Sequence, residues 1–324
     1  MGITENNLDV PVVSIIIPAY NAEQYIEKCL RSLQQLDYPK DKYEVIVIDN
    51  GSSDGTVKIV QHYSTQLWVE KGNISSLRNS GAKKSKGDIL AFLDADCVAP
   101  SHWLREGIRL LENKTIGAVG SWYQLPVNTT LVERVWDLHM SSRREKIGDI
   151  NWVPSGNLIM TKSVFYSIGG FEEDLKTSED VDLCQRVRKQ GLSVYAHPRL
   201  AVEHLGNPKT IKDFFIKEKW RGDGVLQNLI RKKAESGLNK AVLYSISTTL
   251  LLVLFIIGSF VWLWNGNSLF FMFSLLALLL VPLFLSLRIV ISCRKWKYLP
   301  VLMFLFFLFG VSRSMSFFSF KKRF

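Results

Sequence analysis

Two uncharged apolar stretches toward the C-terminal end restrict this chain more than any other feature. Residues 241–264 form a run of 24 residues without a charged side chain, and residues 268–287 form another run of 20. A helix needs roughly 20 apolar residues to cross the hydrocarbon core of a bilayer. Because only the Asn-Gly-Asn sequence of residues 265–267 separates the two stretches, the pattern predicts two transmembrane helices joined as a hairpin.

Basic side chains on both sides of this hairpin predict its orientation. They are Arg231, Lys232, Lys233 and Lys240 before it, and Arg288, Arg294, Lys295 and Lys297 after it. Lys and Arg accumulate on the cytoplasmic side of membrane helices, so both flanks and the N-terminal part of the chain are expected in the cytoplasm. The sequence thus predicts a multi-pass protein of the plasma membrane.

A third apolar segment, residues 298–320, has two interpretations. Arg313 interrupts it, and Lys321, Lys322 and Arg323 follow it. If the segment spans the membrane, these three basic residues emerge on the side that disfavours them. The alternative is a helix that lies in the interface or re-enters, and the sequence leaves both interpretations open.

The net charge of +10 is concentrated near the predicted membrane region. Residues 241–324 contain eight Lys or Arg and no acid, and residues 206–240 contain nine basic and four acidic residues. Residues 1–205 are therefore slightly acidic, whereas a nucleic-acid-binding domain needs positive charge where it meets phosphates. No nucleic-acid partner is expected.

Apolar residues recur at helical spacing among the basic residues of 206–240. They are Ile211, Phe214, Phe215, Val225, Leu226, Leu229 and Ile230. Such a pattern is typical of amphipathic helices that lie on a leaflet with anionic head groups. The sequence therefore divides into residues 1–205, a basic juxtamembrane segment 206–240 and a membrane region 241–324.

Strand and helix patterns alternate in the first of these parts. Residues 12–18, 45–48 and 89–93 are short apolar runs typical of strands buried on both faces, and residues 23–36 and 73–86 have helical spacing. Repeated β-α-β units with short connections predict a mainly parallel sheet flanked by helices. Ligands bind such sheets beyond the carboxyl ends of the strands.

Carboxylates follow two of these strands at that expected ligand-binding edge. Asp49 ends one strand, although a solvated turn residue is an equal interpretation for it, and Asp94-Ala95-Asp96 follows another. In extended backbone, residues two apart point to the same side. Two such carboxylates repel each other unless a cation or hydrogen bonds lie between them. Oxygen ligands favour Mg²⁺ or Mn²⁺, which commonly bridge to substrate phosphates.

Six short motifs follow one another along the first part of the chain. They are Val-Ser-Ile-Ile-Ile-Pro-Ala-Tyr-Asn at 13–21, Val-Ile-Asp-Asn-Gly-Ser-Ser-Asp-Gly-Thr at 47–56, Arg-Asn-Ser-Gly at 78–81, Leu-Asp-Ala-Asp at 93–96, Gly-Gly-Phe at 169–171 and Glu-Asp-Val-Asp-Leu at 179–183. In this order they resemble the family 2 glycosyltransferases of the GT-A fold. The resemblance covers about the first 205 residues. It implies a Rossmann-like, mixed but mainly parallel sheet that binds a nucleotide sugar.

The resemblance implies roles for residues on the donor side of the site. Pro18, Tyr20 and Asp49 would hold the nucleotide base, and Arg78 would lie near the base or the phosphates. Asp94 would face the ribose and the metal. Asp96 would ligate the metal ion, and His204 would supply a further ligand unless it is a structural hydrogen-bonding residue.

On the acceptor side, the resemblance implies that Asp180 is the general base. A helix N-terminus at this position is expected to lower the pKa of Asp180, and the adjacent Glu179 is expected to oppose this effect. Possible contacts to the donor or acceptor sugar are Trp152, Gly156, Asn157 and Glu179. A core position is the more common role for a residue such as Trp152.

These assignments predict an inverting, metal-dependent enzyme that moves one sugar, with UDP-sugar as the favoured donor, to a hydroxyl of a lipid-linked or membrane-associated acceptor. Two predicted spans and an undecided third are too few to enclose an export channel, which disfavours a polymerase. A polyprenyl-phosphate sugar synthase is the nearest alternative. A nucleotidyltransferase and a membrane-anchored, nucleotide-sugar-binding pseudoenzyme are weaker ones.

Overall fold

The computed structural model describes residues 10–230 and 240–318, which belong to two compact units. The sheet unit comprises residues 1–126 and 143–206, and the helical unit comprises residues 127–142 and 207–324. Each unit has its own buried apolar core. The names sheet unit and helical unit refer to these two regions below.

Eight strands of the sheet unit form one mixed sheet among the residues described, and two short strands pair separately. The strands are β1 Val13–Ala19, β2 Tyr43–Asp49, β3 Gln66–Val69, β4 Ile89–Leu93, β5 Cys97–Val98, β6 Ile116–Gly120, β7 Gly148–Ile150, β8 Asn157–Thr161, β9 Ser193–Ala196 and β10 Glu203–His204. The order in the sheet is β3-β2-β1-β4-β8-β6-β9-β7. Strands β2 and β4 run parallel to β1, and β8 runs antiparallel to both β4 and β6. The predicted mixed, mainly parallel sheet is confirmed.

Helices connect these strands along the chain. They are α1 Ile26–Gln34, α2 Thr56–Val60, α3 Ile74–Lys84, α4 Trp103–Leu111, α5 Leu131–Arg144, α6 Lys162–Ser167 and α7 Glu179–Lys189. The side chain of Asn73 caps α3 by accepting the Ser76 amide at 2.9 Å. Caps of this kind satisfy one of the amides that a helix N-terminus leaves without a partner.

The central strands are buried on both faces, as their uninterrupted apolar runs predicted. Ile15 and Ile17 of β1 belong to one core cluster, whereas Ile16 belongs to a second cluster with Leu90 and Phe92 of β4. Alternate residues of a strand point to opposite faces, so one strand supplies both cores. Burial of each such side chain is worth about 1.5–3 kcal/mol.

Residues Pro198–Leu200 form a 3-10 turn before β10, which pairs antiparallel with β5 and sets His204 beside Cys97. One local prediction was wrong in position. The helix expected from residue 23 begins at Ile26. The physical reason for the later start is that Glu23 binds the loop after β2, where its carboxylate accepts the Gly55 amide at 3.0 Å.

The helical unit contains most of α5 and four further helices among the described residues. They are α8 Ile211–Ile230, α9 Lys240–Asn265, α10 Ser268–Cys293 and α11 Leu299–Phe318. Three stretches, Val242–Asn265, Ser268–Cys293 and Trp296–Ser316, are long and apolar enough to cross a membrane. Gly266, with φ of +72°, makes the turn between α9 and α10, and Asn267 caps α10.

One apolar residue of the predicted juxtamembrane surface lies inside the protein. Phe214 of α8 is fully buried, and its ring packs edge-on to Trp136 of α5, whereas Ile211 is exposed. A lipid-facing role for Phe214 is therefore excluded, because α5 and α11 cover it in one buried cluster. The basic residues Arg231, Lys232 and Lys233 fall outside the described residues, as does the part of 206–240 that contains them.

Candidate functional site

The residues of the predicted site meet at one edge of the sheet. Strands β1, β2 and β4 are parallel neighbours, so the segments that follow Ala19, Asp49 and Leu93 lie side by side. Strand β8 runs the opposite way, which brings the residues just before Asn157 to the same edge. This topology collects side chains that are far apart in the sequence.

The loops after β1 and β2 are joined by hydrogen bonds. The Asn21 amide donates to the Ser52 hydroxyl at 2.8 Å, and the Ser53 amide donates to the Asn21 side-chain oxygen at 2.9 Å. Asn21 has φ of 47°, a left-handed conformation that Asn adopts more readily than most residues. Tyr20 is exposed at the start of this double loop, and Pro18 is buried in β1.

Asp49 stabilises the turn that follows its own strand. Its Oδ1 accepts the amides of Gly51 at 2.9 Å and Ser52 at 2.8 Å, and its Oδ2 accepts the Ser52 hydroxyl at 2.5 Å. The residue is fully buried. The predicted contact between Asp49 and a nucleotide base remains a prediction.

Arg78 of α3 joins two parts of the site. It is only 2% exposed, and its guanidinium donates to Asp94 Oδ1 at 2.7 Å and to Glu179 Oε1 at 2.9 Å. Burial alone would lower its pKa, but the attraction of both carboxylates raises it above the ordinary value. The guanidinium also lies 5.4 Å from the centre of the Phe171 ring. Arg78 thus acts as a buried clamp.

Asp94 is held closely by its neighbours. Besides Arg78, its carboxylate accepts the Tyr123 hydroxyl at 3.3 Å, and its amide donates to the Gly156 carbonyl at 3.2 Å. A Cβ atom on Gly156 would lie 2.0 Å from Asp94 Oδ2 and 2.4 Å from the Tyr123 hydroxyl oxygen. Any side chain at this position would displace Asp94 or Tyr123, which gives Gly156 a steric role beside Asp94.

Asp96 and His204 form a second pair of side chains in contact at this edge of the sheet. The His204 Nε2 atom lies 3.4 Å from Asp96 Oδ2, and the His204 ring lies 4.6 Å from the Tyr123 ring. A Cβ atom on Gly206 would lie 2.0 Å from Asp96 Oδ2. The pairing of β10 with β5 is the reason that these two residues meet, although they are distant in the sequence.

The pair fits a divalent cation as a partial ligand set. Within residues 10–230 and 240–318, three or more His, Cys, Asp or Glu side chains do not converge on one point. One carboxylate, with most positions left to substrate phosphates and water, matches how Mg²⁺ is held in phosphate-binding sites, and the imidazole would add one nitrogen ligand. Asp96 and His204 are therefore suitable donors.

Glu179 and Asp180 begin helix α7 after Ser178, which has φ of 66°. Glu179 Oε1 accepts from Arg78 at 2.9 Å and from the Ser155 hydroxyl at 3.0 Å. Asp180 Oδ1 accepts the Val181 amide at 2.8 Å. Glu179 is thus engaged with the protein, whereas Asp180 has the freer carboxylate of the two.

Burial raises the pKa of Asp180 to about 7, and the negative charge of Glu179 adds to this rise. The helix N-terminus was expected to lower this pKa and Glu179 to oppose that effect, and both effects are present. The Val181 amide lowers the pKa, but burial raises it more, because removing a carboxylate from water disfavours its charged form. At neutral pH, Asp180 therefore exchanges its proton readily.

Two residues that were predicted to contact a sugar, Asn157 and Trp152, pack against other residues of the protein. Asn157 is fully buried, and its amide group contacts the carbonyls of Ser121 and Leu200 at 3.0 and 2.8 Å and the indole of Trp103 at 2.9 Å. Trp152 packs edge-on against Trp122 with ring centres 4.5 Å apart. Asn157 stabilises the core, because both polar atoms of its side chain form hydrogen bonds with other residues of the protein.

Sequence reasoning missed Tyr123, Ser155 and Gly206. Tyr123 comes shortly after β6, whose direction in the sheet is the same as that of β4, so it reaches the same edge. Ser155 lies just before the antiparallel strand β8. Recognition of residues 116–120 as a strand would have pointed to Tyr123, but no sequence signal indicated Gly206.

Comparison with known proteins agrees with this geometry. Residues 14–172 match the family model described as glycosyl transferase family 2. Glycosyltransferase AglE of Haloferax volcanii is 35% identical over 198 residues, which cover 58% of this chain and 65% of that protein. Residues 14–172 therefore match a family 2 glycosyltransferase domain, as the motifs predicted.

Two further proteins are similar over a larger part of the chain. A beta-monoglucosyldiacylglycerol synthase of Trichormus variabilis is 27% identical over 66% of this chain and 49% of its own length. The mannosyltransferase PcManGT from Pyrobaculum calidifontis, solved with GDP-Man and Mn²⁺, superposes with a TM-score of 0.59 at 18% identity, over 97% of this chain and 88% of that one. The chain thus spans 65% and 49% of the lengths of these two curated relatives, AglE and the synthase. The solved structure supports the GT-A fold.

Proposed function

We propose that this chain transfers a single sugar, with inversion, from a nucleoside-diphosphate sugar to a hydroxyl group of a lipid-linked or membrane-associated acceptor. The observation that carries the proposal is the Asp180 carboxylate, whose pKa is raised to about 7 at the sheet edge that also holds Asp94 and Asp96. A general base is most effective when its pKa lies near the working pH. The alternatives without base chemistry do not need such a group.

The donor side is built from the loops after β1, β2 and β4. The ring of Tyr20 is exposed there and is a suitable surface for a nucleotide base to stack on. Asp96 and His204 would hold a divalent cation against the diphosphate, where its charge neutralises the negative charge of the departing nucleotide. A protein of the same fold has been solved with GDP-Man and Mn²⁺, which supports this class of donor but not the choice of UDP or of the ion.

The acceptor side needs a proton acceptor. In the proposed step, the acceptor oxygen forms a bond to the anomeric carbon while the bond to the bridging phosphate oxygen breaks. The bonding pair leaves with the nucleoside diphosphate, and Asp180 takes the hydroxyl proton. Attack from the side opposite to the leaving group inverts the anomeric centre. A polyprenyl-phosphate acceptor is already anionic and would leave Asp180 without this role.

Membrane-associated acceptors are supported by the helical unit and by relatives. Three stretches are long and apolar enough to cross a bilayer, and one relative is named for the synthesis of a glucosyl diacylglycerol. An acceptor with a lipid anchor is therefore the proposed substrate class, in a plasma membrane with the sheet unit on the cytoplasmic side.

The test is turnover of purified full-length protein in vesicles with UDP-, GDP- and dTDP-sugars, with Mn²⁺ or EDTA, and lipid-extract acceptors. The variants are Asp180→Asn and Asp96→Asn, with Asp41→Asn, an exposed carboxylate outside the site, as the control. We expect a lipid product of inverted configuration from the native and control proteins only. Full turnover by Asp180→Asn would overturn the base assignment and favour a phosphate acceptor.

A further inference from the structure

The hydrogen bonds and the close approach described between helices α11 and α9 involve residues 244–248 of α9. The Ser314 hydroxyl donates to the Ser245 carbonyl at 3.3 Å, the Tyr244 hydroxyl donates to the Phe306 carbonyl at 2.9 Å, and a Cβ on Gly310 would lie 2.6 Å from Thr248 Oγ1. The α9 partners all fall in the first turns of a helix that begins at Lys240. These contacts place α11 at the start of α9.

The contacts of α11 with α10 lie near the end of α10, which is beside the start of α9. Val290, near the end of α10 at Cys293, shares a buried cluster with Leu302 and Leu305 of α11. Since α9 and α10 form a hairpin, the end of α10 lies beside the start of α9. Helix α11 therefore meets both hairpin helices at their base.

The length of α11 shows how it is oriented. From Leu302 to Ser314 the helix rises about 18 Å. A helix aligned with the hairpin would follow its length over this distance, and its partners would move toward the turn at Gly266. Instead its partners lie between Tyr244 and Thr248 on α9 and between Leu285 and Val290 on α10. Helix α11 thus crosses the base of the hairpin.

The charges on the covered side of α11 agree with this orientation. The Arg313 guanidinium donates to Glu218 Oε2 of α8 at 3.0 and 2.9 Å, and Arg221 donates to the other oxygen at 2.6 Å. Glu218 is only 1% exposed. The two arginines keep its pKa below the ordinary value despite its burial. Three charged groups in the hydrocarbon core would be costly, whereas they are tolerated near the head groups.

The outer side of α11 is an apolar stripe at helical spacing. It consists of Pro300, Phe304, Leu308, Val311 and Met315, all exposed or half-buried. Arg294, Lys295 and Lys297 are exposed immediately before this helix. An apolar stripe next to a basic cluster is complementary to an anionic leaflet, with acyl chains below the phosphates.

We propose that α11 lies in the plane of the membrane–water interface, on the side where α9 begins and α10 ends, with this stripe in the acyl chains of an anionic leaflet. Among the residues described, α9 and α10 are then the membrane-crossing helices, and α8 covers α11 from the aqueous side. The third apolar segment is an interfacial helix.

The depth of two residues on α11 tests the orientation. Nitroxide labels are attached to Phe304→Cys and Met315→Cys, which are 45% and 44% exposed, in the full chain with Cys293→Ala. The other cysteines, Cys29, Cys97 and Cys184, are buried. Depth is measured from collisions with oxygen and a nickel chelate in vesicles containing anionic lipid. We expect nearly equal, shallow depths, whereas a spanning helix would separate the labels by about 16 Å.

The hairpin supplies a matched control. Phe273 and Phe284 of α10 have the same separation in sequence and are 68% and 67% exposed. Labels there should differ in depth by about 16 Å. Equal depths on α11 beside unequal depths on α10 support the proposal. A large depth difference on α11 overturns it, as do equal depths on both helices, because the hairpin would then not cross the bilayer.

A topology measurement gives a second reading that does not depend on labels. Protease-sensitive tags are placed at the N-terminus, at the C-terminus and at Gly266 in sealed membrane vesicles. We expect both terminal tags on one side and the Gly266 tag on the other. A C-terminal tag on the same side as Gly266 would mean that α11 spans, and the proposal would fail.

Discussion

Both units of this chain bury charged side chains, but the ratio of cations to anions is reversed between them. At the sheet edge, one cation, Arg78, pairs with the two carboxylates of Asp94 and Glu179. In the helical unit, one carboxylate, Glu218, pairs with the two cations Arg221 and Arg313. Buried charges require opposite charges or hydrogen bonds to offset the loss of water, so an unequal ratio leaves one sign in excess.

The excess has different consequences in the two places. At the sheet edge, the additional carboxylate of Asp180 has a pKa raised to about 7 by burial and by Glu179, so a proton can move there. In the helical unit, the pKa of Glu218 is lowered by its two arginines, so the cluster stays ionised and joins α8 to α11. The proposed reactive site has more carboxylates than cations, whereas the carboxylate of the structural cluster in the helical unit is paired with two arginines.

The largest expected effect is loss of catalysis in Asp180→Asn. We expect turnover to fall about 10²–10⁴-fold because the proton acceptor is lost, while donor binding in thermal-shift titrations is retained. Since the folded protein favours protonated Asp180, native stability should decline between the ordinary carboxyl pKa and about 7 as the pH rises. The variant should lack this decline, and equal slopes for both proteins would contradict the assignment.

The next effect concerns the helical unit. Glu218→Ala leaves Arg221 and Arg313 without their shared carboxylate, and removal of one partner from a buried ion pair costs about 3–5 kcal/mol. We expect a lower melting temperature in detergent. A double variant, Glu218→Ala with Arg313→Met, should recover part of the loss. If the single variant melts like the native protein, the cluster is not a buried structural element.

The pH dependence of turnover distinguishes the two carboxylates of α7. Activity of the native protein should rise as the pH passes through about 7, since Asp180 acts in its ionised form. Glu179→Gln removes a neighbouring negative charge, so the midpoint should move to lower pH. The measurement is the pH profile of kcat for both proteins with saturating donor. An unchanged midpoint would show that Glu179 does not influence the base.

The smallest effect is expected for Tyr123→Phe. This change removes the 3.3 Å hydrogen bond to Asp94 but keeps the ring beside His204. The loss of one such bond is worth about 0.5–1.5 kcal/mol, or roughly a two- to tenfold rise in the KM for the donor. Tyr166→Phe, which removes a hydroxyl contact to the Ala82 carbonyl away from the site, is the control and should leave KM unchanged.

Several site residues were predictable because local patterns specify them. The apolar run of β4 ends directly in Asp94-Ala95-Asp96, so the position of these carboxylates at a strand end follows from the run itself. Asp180 was identified from its motif, and its place at the start of α7 agrees. The opposing effects of the helix N-terminus and of Glu179 on its pKa were predicted, but the larger effect of burial was not, because burial depends on residues far away in the sequence.

Other parts of the site have no local signal. Tyr123 reaches Asp94 only because β6 and β4 share a direction in the sheet, and His204 reaches Asp96 only because β10 pairs with β5. The role of Arg78 as a clamp between Asp94 and Glu179 depends on three elements that are separate in the chain. Such contacts are set by strand order, which short-range periodicity does not encode.

The sequence by itself determined the class of fold, the family and the two hairpin helices, because apolar periodicity and uncharged length act locally along the chain. The tertiary structure decided which carboxylates are paired, which one carries a raised pKa, and how α11 lies at the base of the hairpin. These outcomes depend on burial and on contacts between distant residues. Removal of a group from water is a property of the packed protein, and no single segment determines it.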